Sequence, residues 1–293
     1  MSAQFNKGDI LVFKTEDDWI SKCIAFLTKS DVSHAVMVYG DNTIVEMDLP
    51  GIGVCKITEA PNGREVYVMR HVKELNPEPL IKAADAYIYA ETEYDIPAIV
   101  LLAGLIIYQE IRPNDKFTPI ADLIMRLACV VIDTYIQEKT GKGKTMVCSQ
   151  LVYQIYSDSG EDYRIKGHFQ LRRNSPGLIK LATLLEDVPA PKFLAYKIDE
   201  INQDPQELAR QLYVAMTESE NRFYSGELDV SISEANVKIM LQSANQLLER
   251  LKKLLEQCGS DLPINSMFVT PCDLVYNTTN LQRVGIVKIN VER

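Results

Sequence analysis

A cysteine and a histidine far apart in the chain are the two side chains best suited to chemistry. Cys148 stands in Met146-Val147-Cys148-Ser149-Gln150, and Leu151, Val152, Ile155 and Tyr156 follow it at helical spacing. The thiol therefore opens a helix, where unpaired backbone N–H groups and the macrodipole both favour a thiolate. His34, in Val32-Ser33-His34-Ala35-Val36, begins an alternating strand. A helix-start Cys facing a strand-borne His is the geometry of nucleophilic thiol catalysis, in which the imidazole takes the thiol proton. The thiol needs that partner, since a free cysteine with a pKa of about 8.5 is only slightly ionised at neutral pH.

The elements that must position this pair are legible as periodicities. Buried or alternating strands are expected at 8–13, 33–39, 43–47 and 65–69, and helices at 16–29, 77–91 and 147–159. Gly40-Asp41-Asn42 is a turn signal, so 33–39 and 43–47 form a hairpin. Two apolar helical segments, 96–112 and 119–138, read as an insertion. The run 98–108 is shorter than the roughly 20 residues a bilayer span needs, so it reads as a buried core helix, with a greasy site wall for an acyl chain as the alternative. A second insertion covers 204–258. There Met240, Ala244, Leu247, Leu251, Leu254 and Cys258 recur at near-heptad spacing among Lys, Arg and Glu. It reads as a charged helical hairpin packing on itself, or as a seam for a homodimer or partner protein.

Composition sets limits on function. The chain has 293 residues, 46% hydrophobic and 24% charged, which suits a soluble globular protein with a substantial core. A formal charge of −9 argues against nonspecific nucleic-acid binding, which needs clustered Lys and Arg. Six scattered cysteines and three histidines lack metal-ligand spacing, so neither a metal nor a cofactor is expected. The N-terminus carries no apolar signal core, giving the expectation of a cytoplasmic protein without a transmembrane segment. A specialised delivery route into another cell would leave no such mark.

Several short motifs occur in one order: Gly8-Asp9-Ile10, Ser33-His34-Ala35, Ile44-Val45-Glu46, Val68-Met69-Arg70, Glu93-Tyr94-Asp95 and Val147-Cys148-Ser149-Gln150. The set closes with Thr270-Pro271-Cys272-Asp273-Leu274 and Asn280-Leu281. This order resembles the circularly permuted papain-like cysteine hydrolases of the NlpC-type superfamily. The resemblance covers roughly residues 5–200 and 265–293. Val147 stands where an aromatic residue is frequent, and Gln150 where a Glu is frequent. The span between Glu93 and Cys148 is expanded by the apolar helices.

The resemblance implies a nucleophile at Cys148, a general base at His34 and an orienting acceptor at Glu46. Tyr94, Asp95 and Gln150 are candidates for substrate binding, although Tyr94 and Asp95 also suit a structural turn before Ile96-Pro97. The N–H groups of Cys148, Ser149 and Gln150 are candidate oxyanion donors. The Glu46 assignment depends on register: paired positions must sum to 82 for Glu46 to share a face with His34, which a three-residue connection would give. A tight turn on Asp41-Asn42 would give 83 and the wrong face.

The fold expected is α+β, a permuted papain-like arrangement with an antiparallel, partly barrel-like sheet on the Cys-bearing helix. Residues 1–200 would form the catalytic domain with an insertion at about 96–140, 201–260 a helical hairpin, and 261–293 the closing segment. The function expected is a thiol hydrolase cleaving an amide or ester of a small-molecule, peptide or lipid substrate. The alternatives are a fatty acyltransferase or phospholipase-type enzyme using the same dyad, and a catalytically idle binding module.

Overall fold

The computed structural model describes residues 5–48, 51–59, 64–95, 99–101, 103–104, 107, 117–138, 145–168, 210, 213–214, 217, 234–258 and 269–289. The chain enters its first strand through Gly8, whose φ of 88° belongs to the left-handed region that glycine adopts without strain. Strand β1 (Ile10–Lys14) follows, then helix α1 (Trp19–Thr28), capped by Asp18 Oδ1 accepting from the Ser21 N–H at 3.0 Å. Strands β2 (Val32–Gly40), β3 (Thr43–Asp48), β4 (Gly51–Lys56) and β5 (Glu65–His71) continue the sheet. Helix α2 (Glu78–Tyr89) starts after Pro77, whose fixed φ suits a helix entrance. Strand β6 (Glu93–Tyr94), helix α3 (Phe117–Glu138), strand β7 (Thr145–Met146), helix α4 (Cys148–Asp158), helix α5 (Glu234–Cys258) and strand β8 (Leu281–Lys288) complete the order.

The eight strands form one sheet in the order β7-β6-β4-β3-β2-β1-β5-β8. Every pairing is antiparallel except that of the short β6 with β7. The fold is thus α+β. Apolar side chains cover both faces of the central strands, which is why β1 and β2 read as nearly continuous hydrophobic runs. On one face Ile10, Val12, Ala35, Met37 and Val45 pack with Leu151, Val152 and Ile155 of α4. On the other, Leu11, Phe13, Val36, Val38 and Ile44 pack with Val66, Val68 and Ile289. Each such fully buried aliphatic side chain contributes about 1.5–3 kcal/mol.

The β2–β3 hairpin corrects one expectation and explains another. Gly40 pairs with Thr43 across a tight Asp41-Asn42 turn, with Asn42 at φ 62°, so the connection has two residues and not three. The register then shifts by one: Val38 pairs with Ile44 and Met37 with Val45. Tyr39 is the extra residue, a β-bulge whose hydroxyl donates to Asp85 of α2. The bulge restores the sum of 82 that the turn alone would forbid. Glu46 and His34 therefore share a face.

The helix α5 also differs from expectation. It packs on α3, the helix from the other inserted stretch, and is not confined to a self-contained hairpin. Arg250 Nε donates to Asp133 Oδ2 at 2.8 Å, and Ser243 Oγ donates to Asp122. Ala244, Leu247 and Leu251 are buried, as are Ala121, Met125 and Ala128 of α3. Gly104 completes the contact: a Cβ there would lie 2.6 Å from that of Ala128. Most of 204–233, and the side chains of Met240, Leu254 and Cys258, lie outside the described residues. Among the described residues no helix is long and apolar enough to cross a membrane.

Candidate active site

The site is built where the sheet forks. The ladder between β2 and β3 stops at Met37–Val45, whereas β2 continues along β1 to Val32 and β3 continues along β4 to Asp48. Past the fork, β2 has no strand partner on its β3 side among the described residues, and the Ala35 N–H is left for another acceptor. Cys148, the first residue of α4, supplies it: its sulfur accepts from the backbone N–H groups of Ala35 and Ser149. A helix that packs on one face thereby presents its thiol to a histidine borne on the other.

His34 hydrogen-bonds to both neighbours. Its Nε2 lies 3.3 Å from Glu46 Oε2, which leaves Nδ1 for the Cys148 thiol. Burial opposes charging of either group, but the mutual attraction outweighs it. The Cys148 thiol is lowered from its ordinary value by the His34 charge, the His34 hydrogen bond and the two backbone donors. The His34 ring is raised to about 10 by the Cys148 thiolate and by Glu46, against the pull of burial. Glu46 is lowered chiefly by its hydrogen bond to His34. All three directions describe one state: thiolate, imidazolium and carboxylate in a line.

The helix start is itself secured. Gln150 Oε1 accepts from the Val147 N–H at 3.4 Å, and Ser149 Oγ donates to the Val269 carbonyl at 2.7 Å. Gln150, expected to bind substrate, is 6% exposed and committed to this cap. Thr270 and Asp273 hold the closing segment in place: Asp273 Oδ2 accepts from the Thr270 N–H at 2.9 Å and its Oγ1 at 2.8 Å. Asn280 donates to His71 Nε2 at 2.9 Å and to the Arg164 carbonyl at 2.8 Å. His71 is therefore a buried structural residue. Asp9, 1% exposed, takes both Nε and Nη2 of Arg70 at 2.6 and 2.7 Å, which pins β1 to β5.

Tyr94 and Asp95 divide. The Tyr94 phenol is raised by burial and then by the Cys148 charge, so it lies within electrostatic reach of the thiol. Asp95 is buried, and its N–H donates to the Met146 carbonyl at 2.9 Å, continuing the β6–β7 edge that delivers the chain to Cys148.

Three neighbours escaped the sequence reading. The Ala35 N–H carried no side-chain signal, and only the fork makes it available. Arg64 lies outside every motif quoted above, yet its guanidinium sits 4.8 Å from the Phe13 ring, which is 5.9 Å from the His34 ring. It donates to the Lys14 carbonyl at 2.8 Å and Ser33 Oγ at 3.3 Å and pairs with Glu16 at 2.8 Å, so its charge bears on Cys148 from a fixed place. Cys55 Sγ donates to Glu46 Oε1 at 3.0 Å. Its strand, Gly51-Ile52-Gly53-Val54-Cys55-Lys56, holds two glycines and gave no strand signal.

Comparison of the chain with protein-family models, with curated proteins and with solved structures returned no match.

Proposed function

We propose that this chain is a cysteine-dependent hydrolase that cleaves an amide or ester bond through an acyl-enzyme on Cys148. The observation that carries the reading is the line from Cys148 to His34 to Glu46, with the thiol lowered and the ring raised. The thiolate attacks the substrate carbonyl carbon, and the carbonyl π pair moves onto oxygen. The first-turn N–H groups of α4, beginning with that of Cys148, are the candidate donors to that oxyanion. Collapse expels the amine or alcohol, which takes its proton from His34. Water then gives a proton to His34 and its oxygen attacks the thioester, releasing the acid and the Cys148 thiolate and restoring the imidazolium. Glu46 holds the ring and balances its charge throughout.

In this reading the chain is a permuted papain-like enzyme, its histidine strand preceding its cysteine helix. Of the apolar stretch read as a possible acyl-chain wall, the described Gly104 lies against Ala128 and Leu247, and Leu101 and Ile107 are buried, which accounts for these residues by packing.

The test is the pH dependence of Cys148 alkylation by iodoacetamide, followed on the Cys148 peptide by mass spectrometry in wild type and His34→Ala. Reactivity that persists well below pH 7 in wild type and is lost in the variant supports the dyad. An ordinary thiol profile, the same in both proteins, would sink it.

A further inference from the structure

We infer that Cys55 is a positioning residue for the site: its thiol donates to Glu46 and holds that carboxylate in the rotamer that faces His34. The inference rests on the catalytic reading above and extends it to a fourth residue.

Glu46 Oε2 lies 3.3 Å from His34 Nε2 and Oε1 lies 3.0 Å from Cys55 Sγ, within the sulfur hydrogen-bond range. The two contacts use the two oxygens of one carboxylate, so together they set its plane. Position in the sheet supports the pairing. In the β3–β4 ladder Ile44 is opposite Cys55 and Glu46 is opposite Gly53, which places Cys55 on the Glu46 face as its diagonal neighbour. Gly53 contributes no side chain at the position directly across from Glu46, and a Cβ built there would meet nothing within 4 Å. The diagonal thiol is thus the strand's side-chain donor to Glu46.

The thiol is suited to donating and unsuited to competing as a nucleophile. Burial and then Glu46 push it up to about 12, so it keeps its proton throughout the neutral range. The two cysteines on either side of the His34–Glu46 pair, Cys148 buried and Cys55 half-buried, are thereby driven in opposite directions: Cys148 toward thiolate, Cys55 toward thiol. A thiol in place of a stronger hydroxyl or amide donor leaves most of the carboxylate's charge for the imidazolium.

The experiment follows two peptides in one digest after brief iodoacetamide pulses from pH 4 to 10, in wild type, Cys55→Ala, Cys55→Ser, Glu46→Gln and His34→Ala, with thermal unfolding as a fold control. In Cys55→Ala the acid limb of Cys148 reactivity is expected to move up by about one pH unit, a roughly tenfold loss at a fixed acidic pH. Cys55→Ser, which keeps a donor, is expected to recover most of it. In Glu46→Gln the Cys55 peptide itself is expected to become more reactive near pH 9, since the anion that holds its proton is gone. A Cys55→Ala limb that stays in place or moves to lower pH, with an intact His34-dependent wild-type profile, overturns the role of Cys55 alone. A wild-type Cys148 profile that ignores His34 overturns the dyad and the positioning role together.

Discussion

Glu46 Oε2 lies 3.3 Å from His34 Nε2 across the widening gap between two strands whose ladder has already ended. No backbone bond holds these two side chains together, so the contact depends on rotamer and charge alone. Replacing Glu46 with Gln removes the charge and keeps the shape. The expected result is a Cys148 alkylation limb shifted toward higher pH by about one unit, with little change in thermal stability. Because His34 is raised and Cys148 lowered, the sign is fixed: losing the anion lowers the ring and lifts the thiol.

The pair also makes stability depend on pH. The raised His34 contributes stability that is complete below its ordinary 6.5 and is lost as pH rises through about 10. The lowered Cys148 contributes stability that is complete above its ordinary 9.0 and is lost as pH falls through its folded value. Between 6.5 and 9.0 the unfolded pair carries its one proton on the thiol and the proposed thiolate–imidazolium pair carries its one proton on the ring, so the two-group proton count is the same near neutrality. The difference in unfolding free energy between wild type and a His34→Ala, Cys148→Ser double variant should be level there. Above pH 9 it should fall, because the unfolded thiol ionises while the folded ring stays charged. Urea titrations at half-unit pH intervals measure it.

Gln150→Leu separates capping from substrate contact. The Val147 N–H would lose its buried partner, at a cost of about 1–2 kcal/mol. The alkylation profile of Cys148 should keep its shape. A lowered melting temperature with an unchanged pH profile is the expected pair of results.

Arg70→Ala leaves Asp9, 1% exposed, with the Asn6 N–H at 2.8 Å but without its guanidinium. The expected cost is about 3 kcal/mol, because a buried carboxylate would be left uncompensated. Asp9→Asn together with Arg70→Ala should be milder than Arg70→Ala alone, a comparison that chemical denaturation of the variants resolves.

Local periodicity carried much of the architecture. The strand expected at 8–13 contains most of β1 (Ile10–Lys14), and that at 65–69 opens β5; the helix expected from 147 begins at Cys148. These elements declare themselves because each buries a face at its own repeat. Strand β4 was missed because Gly51 and Gly53 dilute its alternation, and β6 and β7 because two residues have no period. The packing of α5 on α3 joins segments separated by about a third of the chain, and an amphipathic stripe does not name its partner. At the site, residue types pointed to Cys148 and His34 and the family resemblance to Glu46, whereas the donors from Ala35 and Cys55 exist only through strand pairing. Gln150 makes a capping contact, and a capping side chain and a binding side chain look alike in sequence.

The single extra residue at Tyr39 gives the hairpin something like a reading frame. Straightening the bulge while Tyr39 stays in the chain slips that frame by one and aims the carboxylate at the apolar layer with Ala35 and Met37, burying a charge there besides emptying the site. A three-residue connection without a bulge would keep the phase. Deleting Tyr39 removes the extra residue and its bulge together, so Val38 still pairs with Ile44 and the phase is kept. A change of length in that loop is thus tolerated only where turn and bulge together keep Glu46 on the His34 face.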